Sequence, residues 1–154
     1  MLSETEQARI RQNFPHYETR MAVAVEALRI VKDERGWVSD EALLDLADFL
    51  SVSADQLEAL ATFYTHVFRR PVGRHVIMVC DSVVCWMQGA EDVGRYLSGR
   101  LGVDMGGTTA DGRFTLLPIV CIGACDQAPA MLVDGRLHGL LDPQKIEAVL
   151  GAYP

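Results

Sequence analysis

The sequence contains no apolar run approaching the roughly 18 to 20 residues that a membrane-spanning helix needs. Its start, MLSETEQARIRQNF, is charged throughout and lacks the apolar core of a secretory signal. These absences predict a soluble, intracellular chain with no direct membrane insertion. Positive charge is also scarce: 14 Lys and Arg against 21 Asp and Glu give a net charge of −7. Phosphate binding needs clustered cations. The one basic cluster, Arg69-Arg70 with Arg74, reads as a solvated turn, so no nucleic-acid partner is expected. Several fingerprints are missing altogether. There is no G-x-G-x-x-G for a dinucleotide, no G-x-x-x-x-G-K-S/T for a triphosphate, no H-E-x-x-H and no G-x-S-x-G. The stretch GGTTADG, residues 106–112, lacks the strand–turn–helix context of a phosphate loop and reads as a turn-rich connection. Asp81, Asp111 and Asp126 are scattered loop carboxylates. No catalytic residue is expected in this chain.

Cysteine is scarce as well, and its placement carries the chemistry. Only four are present. Cys80 and Cys85 lie in VCDSVVCWMQGA, and Cys121 and Cys125 in CIGACDQAP. Thiols stay reduced inside cells, so such pairs suggest metal or redox chemistry more than structural disulfides.

The chain reads as two parts. Residues 1–70 look like an N-terminal helical bundle. Ser3 with Glu6 fits a capping box ahead of a helix that ends before Pro15. In RMAVAVEALRIVKDERG, Met21, Val25, Leu28 and Val31 recur at helical spacing, and Gly36 supplies a stop. A third helix starts at Ser39, with Leu43, Leu46, Ala47 and Leu50 on one face. A fourth starts at Ser53, where Gln56 suggests another capping box. Their apolar stripes are core rather than catalytic.

Residues 71–154 alternate strands and helices in the order β-α-β-β-α, which makes the whole chain α+β. RHVIMVC is a strand. WMQGAEDVGRYLSGRLG reads as one helix despite its internal glycines. RFTLLPIV is a second strand, with Pro118 near its end or on a sheet edge. Asp134-Gly135 is a type I′ turn signal for a hairpin. Asp142 caps a final helix, with Pro143 at its first position.

Cys80 and Cys85 then flank a strand-to-helix turn, while Cys121 and Cys125 follow the second strand. If the two strands are parallel, both pairs meet at one sheet edge. Zinc sites favour tighter knuckles than gaps of four and three residues. A thioredoxin-type redox pair needs C-x-x-C, which neither pair has. A 2Fe–2S cluster takes four thiolates, two per iron. Gly123, Ala124 and Ser82 leave backbone N–H groups free to face the sulfurs. His16, His66, His75 and His138 are dispersed, and none lies within four residues of a cysteine, which disfavours a Rieske-type centre. Trp86 and Met87 read as helix-face packing that also shields a cluster from water.

The motifs A-T-F-Y, P-V-G-x-H, CDSVVC, CIGAC and T-x-D-G-R-F-T-L occur here in the order and spacing of a known family. Over nearly its whole length the chain resembles the 2Fe–2S subunit of the NADH-oxidising module of respiratory complex I, in its bacterial form. The resemblance implies a helical bundle, residues 1–70, followed by a thioredoxin-like 2Fe–2S ferredoxin domain, residues 71–154. It implies one 2Fe–2S cluster on Cys80, Cys85, Cys121 and Cys125. It also implies a flavoprotein partner carrying FMN, the NADH site and a 4Fe–4S cluster, and a larger iron–sulfur subunit. The resemblance places the chain in the peripheral arm at the cytoplasmic face of the inner membrane. Relatives of this subunit also serve NAD-linked hydrogenases and formate dehydrogenases. A zinc-stabilised binding module is the alternative from a different class.

Overall fold

The computed structural model describes all 154 residues, which divide into two units, Met1–Pro71 and Val72–Pro154. The first is helical: α1 (Glu4–Asn13), α2 (Arg20–Arg35), α3 (Asp40–Leu50) and α4 (Ala54–Phe63). The capping box of α1 is formed, with the Ser3 hydroxyl accepting from Glu6 N–H and the Glu6 carboxylate accepting from Ser3 N–H. Helix α2 is capped by Thr19 and stops at Gly36, whose φ of +82° ends the helix in the left-handed region. Leu28, Ile30, Leu46, Leu50 and Leu57 are fully buried and form the core of this unit with Ile10 and Val31.

Two local expectations need correction. Ser53 makes no side-chain cap bond, so the second capping box is not formed even though α4 begins at the residue after it. Spacing of cap residues is necessary for that motif, but the rotamers must also close. Arg69 is no solvated turn residue. Its guanidinium donates to the Val38 carbonyl, to Asp40 (2.6 Å) and to Glu58 (2.9 Å). It ties the start of α3 and the middle of α4 to the chain that leaves the unit.

The second unit contains β1 (His75–Cys80), α5 (Val83–Met87), α6 (Ala90–Leu101), β2 (Phe114–Ile119), β3 (Met131–Val133), β4 (Arg136–His138) and α7 (Pro143–Gly151). The sheet order is β2-β1-β3-β4. Strand β1 pairs parallel with β2, from His75 opposite Phe114 to Cys80 opposite Ile119, and antiparallel with β3. The hairpin β3–β4 turns at Asp134 and Gly135, both at positive φ, as a type I′ turn requires. Ile77, Val79, Leu116, Met131 and Val133 from the sheet pack with Val93 and Leu97 of α6 and Ile146 and Val149 of α7.

The predicted single helix after Cys85 is two helices. Gly89 takes φ +93° and caps α6 on its N-terminal side, so the chain changes direction between Met87 and Ala90. The glycine that helical periodicity had to tolerate is the break itself. Residues 106–109 also do more than connect. They bond to Phe114 and Leu116 and cover the outer edge of β2, and Pro118 stands exposed on that same strand. An edge strand covered in this way is protected from pairing with other chains.

The Glu6 carboxylate is 1% exposed and is held by Arg35, with Nε at 2.6 Å and Nη2 at 2.7 Å. The Arg35 hydrogen bond holds the Glu6 carboxyl below the usual carboxylate range, against the opposing effect of burial. Arg35 is itself partly exposed and can turn to water when unpaired. We therefore expect Glu6→Gln to cost about 2 kcal/mol, less than for a fully buried pair. A folded-state pKa below the unfolded value stabilises above that unfolded value, about 4.3, and is lost as pH falls through the lowered one. The difference in unfolding free energy between wild type and Glu6→Gln should shrink as pH falls from about 5 to about 3. Denaturant melts followed by far-UV circular dichroism measure it, and a difference independent of pH would contradict the assignment.

Candidate metal centre

The parallel pairing of β1 and β2 sets the site. Cys80 is the last residue of β1, and Asp81 N–H donates to Ile119 O at 3.0 Å. The two strands therefore deliver their C-terminal loops side by side. Cys80 is anchored by its own N–H to Ala130 O (3.1 Å). Cys85 lies on α5 and points inward: Cys80 and Cys85 are 1% and 3% exposed. Cys121 and Cys125 lie in the loop after β2 and are exposed. All four are free thiols.

The pairs converge. The Cys85 thiol lies against Cys80 and the Ala130 backbone, and its environment includes Cys125; burial, then Cys80, pushes its pKa up. The Cys125 thiol is pushed up chiefly by Cys121, with Cys80 also contributing. Thiols crowded together in this way form a site that calls for a cation. The Sγ atoms of Cys121 and Cys125 are 3.9 Å apart. Tetrahedral ligation with metal–sulfur bonds of about 2.3 Å puts two sulfurs about 3.8 Å apart on one metal. The outer pair is therefore already at the bite of one metal. Two adjacent dithiol pairs match two irons better than one zinc.

The surroundings suit a cluster. Ala90 and Ala130 pack with Cys80 and Cys85, and Ile122 and Ala128 lie against them. Small apolar side chains leave room and keep water from the inner pair. Gly123 N–H donates to Cys121 Sγ at 3.4 Å, and such bonds tune a cluster's potential. The histidines take no part. His75 instead bonds Asp134 at 2.6 Å, and His138 faces Tyr153.

A sequence model of the family described as "Thioredoxin-like [2Fe-2S] ferredoxin" matches residues 10–154. The chain belongs to this family. Its members' defining cofactor, one 2Fe–2S cluster, is therefore the cofactor of this chain, and the four-thiol site fits it. Over 153 residues the chain is 48% identical to a subunit of the NADH-quinone oxidoreductase of Pseudomonas aeruginosa, covering 99% of this chain and 92% of that protein. The corresponding NADH-quinone oxidoreductase subunit of Escherichia coli K12 is 46% identical over 152 residues, with the same coverage. Among solved structures, air-oxidised NAD+-reducing [NiFe]-hydrogenase matches with a TM-score of 0.70 and 31% identity over 83% of this chain. The match spans only 22% of that longer hydrogenase chain.

Three features of this ferredoxin site were not read from the sequence. Ala130 is fully buried beside the inner thiols and accepts the Cys80 N–H, yet it lies beyond the last cysteine and bears no ligating group. Trp86 and Met87 are 57% and 71% exposed, so the expected packing against a helix face does not occur within this chain. Full burial of such side chains is worth about 1.5–3 kcal/mol each, and the chain leaves that unrealised. Gly139 faces Gln127 so closely that a Cβ there would lie 2.4 Å from the Gln127 Cβ and 2.7 Å from its carbonyl oxygen. Leu140 N–H bonds that same carbonyl at 2.6 Å. The hairpin exit therefore presses on the short 3-10 turn, Cys125–Gln127, that carries the last thiol. Gly139→Ala should cost about 1–3 kcal/mol by forcing the turn outward. It should also perturb the visible spectrum of the cluster-loaded protein. A thermal melt and spectrum identical to wild type would refute this contact.

Proposed function

We propose that the chain is the electron-transfer subunit of an NADH-quinone oxidoreductase, and that Cys80, Cys85, Cys121 and Cys125 hold its 2Fe–2S cluster. The observation that carries the reading is the convergence of two dithiol pairs at the C-terminal edge of a parallel strand pair, in a chain 46–48% identical to subunits of that enzyme. When bound, the cluster supplies a one-electron carrier. The chain's residues do the rest. Buried Cys80 and Cys85 hold the inner side in an apolar cradle. Cys121 and Cys125 present the outer side at the surface, and Gly123 N–H offers charge stabilisation to the Cys121 sulfur.

No nucleotide fingerprint occurs in this chain, so the oxidation of NADH belongs to a partner, a flavoprotein that carries FMN and a 4Fe–4S cluster. A larger iron–sulfur subunit completes the surroundings, at the cytoplasmic face of the membrane. No helix here is long and apolar enough to cross a membrane. The division of the chain follows the same reading, with a helical bundle over residues 1–70 and the ferredoxin domain over residues 71–154.

A second reading has its own support. The hydrogenase match favours the same module in an NAD-linked hydrogenase. The relatives that share 99% of this chain at higher identity weigh for the quinone-reducing complex.

Purification of the native complex should yield this chain with membrane subunits and a 2Fe–2S electron paramagnetic resonance signal that appears on reduction, with NADH serving as the reductant. Co-purification with hydrogenase subunits would transfer the chain to the second reading. Cys85→Ser should remove or reshape the cluster's visible and paramagnetic signals and lower the melting temperature, because cluster binding is coupled to folding of its ligand loops. A wild-type spectrum and melt in Cys85→Ser would refute the ligand assignment.

A further inference from the structure

The two cysteine pairs sit in unlike surroundings. Cys80 and Cys85 are buried and pack with Ala90 and Ala130, with Ile122 and Ala128 against them. None of these four neighbours has a polar side chain, and the one backbone group beside the Cys85 thiol is at Ala130. Cys121 and Cys125 are exposed, and so is Gly123, whose N–H donates to Cys121 Sγ at 3.4 Å. The outer sulfurs lie 3.9 Å apart, the bite of one metal. Each pair has one exposed carboxylate next to it in the chain, Asp81 after Cys80 and Asp126 after Cys125. No Lys or Arg lies within four residues of any of the cysteines. The charges beside the two pairs are therefore alike in sequence. Burial and hydrogen bonding to solvent-facing groups are what differ.

A reduced 2Fe–2S centre holds one electron more than the oxidised one, and so one more negative charge. Added charge is strongly disfavoured in a buried apolar setting and less so where solvent and N–H dipoles reach it. Solvent exposure and hydrogen bonds to the sulfurs are the levers that set such a centre's potential. We propose that Cys121 and Cys125 hold the iron that takes the electron, while Cys80 and Cys85 hold the iron that stays ferric. The inference rests on the electron-relay reading and names the end of the site that carries the charge. The step balances without further reactants: one electron from the reductant turns one ferric iron ferrous, no bond forms or breaks, and no proton moves. The buried pair then keeps the same charge in both redox states. The change in charge falls where solvent and the Gly123 N–H can answer it. Asp126 opposes reduction on the outer side, as Asp81 does on the inner, so each carboxylate reports on the iron next to it.

The test compares the full chain, loaded with iron and sulfide and reduced by dithionite, with Asp126→Asn and Asp81→Asn. Both substitutions change exposed side chains beside a ligand, not the ligands, and should keep the visible spectrum and melting temperature. Proton NMR of the reduced chain separates two kinds of cysteine methylene signal. Those on the ferrous iron show the smaller shifts and grow on warming, because its spin is held against the ferric spin; those on the ferric iron shrink. Asp126→Asn should move the ferrous kind and Asp81→Asn the ferric kind. Asp126→Asn should also raise the reduction potential, favouring the reduced state about threefold at low salt, or about 30 mV for one electron, and by more than Asp81→Asn does. Movement of the ferric kind by Asp126→Asn would overturn the assignment. So would a larger rise in potential for Asp81→Asn, or a single averaged set of signals. A chain that loads no two-iron centre would instead refute the electron-relay reading, which the visible spectrum reports before any reductant is added.

Discussion

The parallel register of β1 on β2 is the constraint on which the rest of the site depends. It sets Cys80 opposite Ile119, and so brings the loop after one strand against the loop after the other. Two cysteine pairs far apart in sequence, Cys80 with Cys85 and Cys121 with Cys125, become neighbours because both strands run the same way. A parallel pair requires a crossover, and here the crossover is α5 and α6. One of the crossover's own helices therefore carries the second thiol. Had β2 run antiparallel, Cys121 and Cys125 would have emerged at the opposite end of the sheet.

The site is asymmetric, and the asymmetry follows from that construction. Cys80 ends a central strand and Cys85 turns into the packed side of α5, so both are buried among alanines. Cys121 and Cys125 lie beyond the edge strand, where nothing in the chain covers them. On the proposed ligation, the buried inner pair would give the cluster a dry anchor, and the exposed outer pair would leave its other side open. Apolar side chains are left outside on α5 and at Val120, and also at Leu137 on β4 and at Leu140.

Much of this was legible in the sequence, for physical reasons that can be named. The hairpin at Asp134-Gly135 was legible because only a few residue pairs tolerate two successive positive φ values. The start of α7 was legible because Asp142 and Pro143 each satisfy the first turn by a local bond or a fixed φ. The convergence of the cysteines followed from strand order once the strands were parallel. What was not legible depends on tertiary contacts. Gly89 as a helix break looks the same in sequence as Gly94, which α6 absorbs. Ala130 as part of the cradle and Gly139 as a close approach carry no local signal. Arg69 looked like one of three surface cations, and only the fold shows that it braces α3 and α4.

The central claim is the proposal that Cys80, Cys85, Cys121 and Cys125 together hold a single two-iron centre. Mössbauer spectroscopy of the chain loaded with 57Fe, with iron and sulfide determined on the same sample, tests it most directly. The account predicts two irons and two sulfides per chain, both irons ferric and tetrahedral in sulfur in the oxidised protein, with one becoming ferrous on one-electron reduction. One metal per chain, zinc in place of iron, or an iron site with nitrogen ligands would contradict it.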